Sequence, residues 1–87
     1  MKHLQAGEIR LYTRLETAQK KARSVSTDPR VVVVQPMWCS KPMYAAVGDV
    51  LLYPDGSAEQ LVYGRDGYTT WHELVAHYGE SAVSILR

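Results

Sequence analysis

A chain of 87 residues is enough for one small domain, residues 1–87, and a domain of that size buries only about two thirds of its unfolded surface, so a partner or a homodimer would add to its stability. Hydrophobic residues at 46% and charged residues at 22% exclude a disordered chain, no apolar run approaches the roughly 20 residues of a membrane span, and Cys39, the only cysteine, excludes an intrachain disulfide, which together predict a cytoplasmic location. The net charge of +1 hides an asymmetry: residues 1–41 carry +5 and residues 42–87 carry −4, a split that marks a charged binding face unless folding mixes the two halves into an even surface.

The opening "MKHLQAGEIR" has no apolar h-region and predicts no signal peptide. "EIRLY" (8–12) alternates Ile9 and Leu11 with Arg10 and Tyr12, the pattern of a half-buried strand. Thr13 and Glu16 have the spacing of a capping box. After them Leu15, Ala18, Ala22 and Val25 recur at helical intervals to about Ser26, and the small alanines let the helix lie close to a sheet. Asp28-Pro29 stops it, because proline disfavours helix at the residue before it.

"VVVV" (31–34) is β-branched on both faces and reads as a central strand, which Pro36 ends. "WCSKP" is a loop and "MYAAV" (43–47) a strand, with a kink or turn at Gly48-Asp49. "VLLY" (50–53) and "AEQLVY" (58–63) flank Pro-Asp-Gly, a hairpin in which Gly56 takes positive φ. "GRDG" (64–67) is a second turn. Thr70 and Glu73 form another capping box for a helix with Trp71, Leu74, Val75 and Tyr78 on one face, ended by Gly79, and "AVSIL" is a closing strand. The order β-α-β-β-β-β-α-β predicts an α+β domain with two short helices on a largely antiparallel sheet.

Few residues carry a pattern of chemistry. "HELVAH" (72–77) resembles the H-E-x-x-G-H motif of dipeptidyl peptidase III over six residues, with Ala76 where that family has glycine. The family implies a distant glutamate ligand and a large two-lobed enzyme, for which 87 residues leave no room. On a regular helix His72 and His77 point roughly 140° apart and cannot share an ion, so Glu73 reads as a capping residue and no metal is expected. Cys39 with His3, His72 or His77 makes a weak nucleophile–base combination, and "YGRDGY" lacks a phosphate-loop pattern and reads as a turn. No cofactor pattern is present, and the chain is not expected to be an enzyme.

"VGDVLLYPDGSAEQLVYG" (47–64) resembles the spike-tip PAAR domains in its Gly-Asp step and Tyr-Pro-Asp-Gly turn. That family implies repeated glycine-rich arms and metal-ligating histidines, which are missing here. The chain is also similar in style to small phage-encoded inhibitors, anti-CRISPR proteins among them. The likeness lies in small size, a helix with spaced alanines ("ETAQKKARSVS"), then "VVVVQP" and a "YPDGS" hairpin. It implies a non-catalytic protein that binds a host protein complex and assigns no residue.

Six tyrosines, two tryptophans and no phenylalanine favour an interface, since Tyr and Trp carry a polar handle on a large apolar body. The leading expectation is therefore a protein-binding module that presents an acidic hairpin (Asp55, Glu59, Asp66) with Tyr53 and Tyr63 to a basic partner. The alternative is a nucleic-acid-binding module using Lys20, Lys21 and Arg23 of the first helix to track phosphates.

Overall fold

Two apolar helical stripes and several runs of β-formers need a sheet to bury them, and the computed structural model, which describes residues 2–86, has one of six strands. In chain order the elements are β1 (Lys2–His3), α1 (Leu15–Val25), β2 (Arg30–Val34), β3 (Met43–Leu52), β4 (Ala58–Tyr63), β5 (Gly67–Thr70), α2 (Trp71–Tyr78), a 3-10 turn (Glu80–Ala82) and β6 (Val83–Leu86). Across the sheet the order is β1-β5-β4-β3-β2-β6, antiparallel throughout except for the parallel pair β1–β5. This is the α+β class and the element order that the sequence predicts.

Three members of that order are composed differently from the sequence reading. Residues 8–12 form no strand. A turn at Gln5, where Glu8 N–H donates to the Gln5 carbonyl at 2.8 Å, throws the segment across the end of the sheet, and only Tyr12 bridges to Tyr44. Ile9 and Leu11 point inward as the alternation requires, but Tyr12 is buried too, because its hydroxyl donates to the Gly64 carbonyl at 3.0 Å. The stretches 43–47 and 50–53 are one ten-residue strand rather than two. Gly48-Asp49 is not a turn but a β-bulge, since Val47 faces Val62 and Val50 faces Gln60, leaving one surplus residue on β3. The sequence pattern shows no strand at 67–70, where β5 lies, because "GYTT" is short and places threonine on both faces.

Of the two expected capping boxes, one half forms. Glu73 N–H donates to Thr70 Oγ1 at 3.2 Å at the start of α2. At α1 the N-cap is Arg14, without a side-chain bond, and Thr13 lies outside the helix.

One helix covers each face. Val31 and Ala46 meet Ala18 and Ala22 under α1, and the absence of bulk on that stripe lets the helix axis approach the strands. Val32, Val34, Ala45, Val47 and Val62 meet Leu74 under α2. Leu74 is fully buried, and burial of a leucine stabilises by about 1.5–3 kcal/mol. Trp71 packs half-buried on that cluster instead of filling its centre.

Candidate functional site: an acidic, apolar hairpin arm

Strand lengths decide where the molecule is bare. β2 pairs with β3 only as far as Arg30 opposite Val47, and β5 pairs with β4 only as far as Thr70 opposite Leu61. Beyond those points β3 and β4 continue alone, pairing Val50 with Gln60, Leu51 with Glu59 and Leu52 with Ala58. Residues 50–60 thus form a two-stranded arm. Ten residues of β3 at about 3.3 Å each span about 33 Å, most of the molecule's 41 Å length against 25 and 24 Å in the other directions.

The arm carries large apolar side chains that nothing covers: Val50 is 50% exposed, Leu51 40%, Leu52 75% and Tyr53 39%. Pairing puts Val50 and Leu52 on the α2 face, and Leu51 and Tyr53 on the α1 face with Glu59. Its tip is a tight turn in which Tyr53 N–H donates to the Ser57 carbonyl at 2.9 Å and Gly56 adopts φ 91°. Asp55 accepts from the Ser57 hydroxyl at 2.6 Å and from the Ser57 N–H at 2.9 Å, and these bonds hold its carboxyl below the usual range, so it stays ionised. Asp49, Asp55 and Glu59 are the only charged residues between positions 47 and 63, so the stretch carries −3.

The expected acidic group of Asp55, Glu59 and Asp66 is not one tip. Asp55 and Glu59 lie on the arm. Asp66 lies past the opposite end of β4, and a six-residue strand separates it from the arm by about 20 Å. There it accepts from Arg10 N–H at 3.2 Å and faces the Arg10 guanidinium at 3.9 Å, which ties the N-terminal segment to the β4–β5 turn. Tyr53 belongs to the arm and Tyr63 does not. The Tyr63 ring lies under Lys21, whose amine is 5.6 Å from its centre, and beside Tyr68 at 5.7 Å. Burial, with Tyr68 and Asp49 nearby, pushes the Tyr63 hydroxyl above its ordinary value. Lys20 and Arg23 are exposed on α1, while Lys21 leans over the sheet.

Sequence reasoning missed Asp49, Val50, Leu51 and Leu52, because an apolar β-run looks buried by default. A signal was present: Pro29 and Pro36 confine β2 to five residues, whereas the run beside it is twice as long and must overhang.

The remaining candidates resolve into structure. Glu73 Oε2 accepts from Thr69 Oγ1 at 2.9 Å and Oε1 faces His3 Nε2 at 3.3 Å, so the histidine that meets this glutamate comes from β1 rather than from α2. His72 and His77 are exposed. Among the described residues no three His, Cys, Asp or Glu side chains converge as a metal site. Cys39 is bound through its main chain to Pro36 and Gln35. In "YGRDGY" the glycines serve close approach: a Cβ on Gly64 would lie 2.5 Å from the Arg10 carbonyl oxygen, and one on Gly67 2.5 Å from that of Lys2. No described helix is long and apolar enough to cross a membrane.

The fold and the arm define a small α+β domain, with a helix on each face, that extends one bare hairpin. No protein family, curated protein or solved structure matches the chain.

Proposed function

We propose that the protein is a non-catalytic protein-binding module whose arm docks on a basic surface with apolar depressions. The observation that supports this is the bare apolar set Val50, Leu51, Leu52 and Tyr53 on an arm that carries Asp49, Asp55 and Glu59 and no cation. Exposed apolar groups rimmed by charge of one sign favour a partner of the opposite sign and add steering to burial. The narrower reading, an inhibitor of a host protein complex of the small phage-encoded kind, draws in addition on the resemblance in style given above.

The test is capture of a cross-linked partner by wild type and two variants, Val50→Ser with Leu52→Ser, and Asp49, Asp55 and Glu59 each to Lys. Both sets lie outside the two cores, so each single change should alter stability by no more than about 0.5 kcal/mol. Loss of capture at unchanged melting temperature is the expected result. Wild-type capture by both variants would sink the reading.

The alternative, nucleic-acid binding, rests on Lys20 and Arg23, exposed on α1, with Arg30 lining the same cleft as Arg23. It predicts binding that falls steeply with salt and is lost on charge reversal at Lys20, Lys21 and Arg23.

A further inference from the structure

We infer that the partner of the arm is a second copy of this chain, whose β6 edge completes it in a reciprocal, two-fold exchange. This rests on the protein-binding reading of the arm and names what the arm binds.

Main-chain groups come first. Tyr53 N–H bonds to the Ser57 carbonyl, so 53 and 57 are a bonded pair, as are 51 and 59 two steps on. The N–H and C=O groups of Val50 and Leu52 therefore point away from β4, toward the side of the sheet where β2 and β6 lie. At β6, Gln35 N–H donates to the Ala82 carbonyl at 2.8 Å, which makes 33–84 and 31–86 the bonded pairs. The main-chain groups of Val83 and Ile85 then face outward at the sheet's edge. The opposite edge, β1, is protected, being two residues long and carrying Lys2. β6 has neither charge, proline nor bulge in Val83–Leu86.

Topology then fits the two edges together. β2 and β6 stand one and two strand widths from β3, and β2 stops where the arm begins. A two-fold axis perpendicular to the sheet, midway between β2 and β6, carries the second copy's β6 into the column beyond the end of β2, beside the first copy's arm. It returns the first copy's β6 to the second copy's arm in the same operation. Because β3 and β6 run in the same direction, the two-fold makes each new pair antiparallel. The axis also keeps the α1 sides together. Leu51, Tyr53 and Glu59 then meet a cleft of about 290 Å³ on the α1 side of β6, whose lining includes Ala22, Val31, Leu86, Arg23 and Arg30 and no acidic residue. Among the described residues the ion pair of Arg30 is with the exposed Asp28 at 3.7 Å, a contact worth little. The anionic arm thus meets a cationic cleft, with Leu86, itself 39% exposed, between them.

The experiment is light scattering on a sizing column, with charge exchange. Wild type should run at twice 9.8 kDa. Leu52→Asp and Glu59→Arg on the arm, and Arg23→Glu in the cleft, should each give a folded monomer with the wild-type circular-dichroism spectrum. Mixing Glu59→Arg with Arg23→Glu should restore the dimer, because one arm–cleft contact is then native and the other has its charges exchanged, and the double variant should dimerise with both contacts exchanged. A wild-type monomer at the highest soluble concentration, or a dimer that survives either Leu52→Asp or Arg23→Glu, overturns the inference. If the wild type is monomeric while the arm variants still lose a captured partner, the protein-binding reading stands and only the self-association fails.

Discussion

Gly64→Ala tests how the N-terminal segment is held. A Cβ at that position would sit 2.5 Å from the Arg10 carbonyl oxygen and 2.5 Å from Ile9 Cγ1. The oxygen cannot swing aside, because Arg65 N–H donates to it at 2.9 Å, and Ile9 is part of the buried cluster under α2. Relief must come from lifting residues 9–12 off the β4–β5 turn. Overpacking of this kind costs about 1–3 kcal/mol, and each hydrogen bond broken in the process adds about 0.5–1.5 kcal/mol. The two bonds at risk are Arg65 N–H to Arg10 and the Tyr12 hydroxyl to Gly64. The total, about 2–6 kcal/mol, compares with about 4–13 kcal/mol for the whole stability of a domain this size. Urea titration should show the midpoint falling at constant slope, and the melting temperature should drop by at least ~8 °C. Tyr12→Phe should cost less in the Gly64→Ala background than alone, since the lifted segment has already lost that bond. A loss under about 1 kcal/mol, or strict additivity, would mean the segment is not seated on Gly64.

Leu74→Ala should cost about 3–5 kcal/mol by the cavity it leaves, whereas His77→Ala should stay within about 0.5 kcal/mol; chemical denaturation of both checks which side of α2 faces the core. Thr70→Ala removes a formed cap and should cost about 1 kcal/mol, while Thr13→Ala, outside α1, should be near neutral by thermal melts. Burial raises the hydroxyls of Tyr12, Tyr63 and Tyr78 above their ordinary value of 10.0. The folded state then holds those protons more tightly than the unfolded chain, so their contribution to stability is intact below about pH 10 and is lost as pH rises further. Ultraviolet titration should show Tyr12, Tyr63 and Tyr78 ionising above the ordinary value; ionisation of these three at the ordinary value in a still-folded protein would contradict it.

The helices were legible because their signals are local. Leu15, Ala18, Ala22 and Val25, or Trp71, Leu74, Val75 and Tyr78, show a face without reference to anything distant. The hairpin was legible for the same reason, since Pro54-Asp55-Gly56 sets its own turn. What resisted were features defined by a neighbouring strand. Nothing within "EIRLY" says that Arg65 and Tyr44 supply its hydrogen bonds. "GYTT" becomes a strand only because β4 and β1 lie on either side of it. Whether "VLLY" is buried depends on the length of β2, twenty residues earlier. Grouping Asp66 with Asp55 failed because closeness in sequence spans the full length of β4. The tyrosine content favours an interface and groups Tyr53 with Tyr63 in it, yet Tyr12 is core, Tyr63 is held under Lys21 and Tyr53 alone of the two lies on the arm.

The bulge at Gly48-Asp49 separates aim from chemistry. Its surplus residue has no counterpart on β4, so removing it leaves every flanking pair unchanged, Val47 with Val62 and Val50 with Gln60. What would change is direction, because a bulge bends its strand and tightens the local twist. Deleting Gly48 would re-point the arm while keeping Asp49, and with it the arm's side chains, its charge and its pairing. Orientation and recognition are thus inherited through different positions, and a lineage could retarget one without rewriting the other.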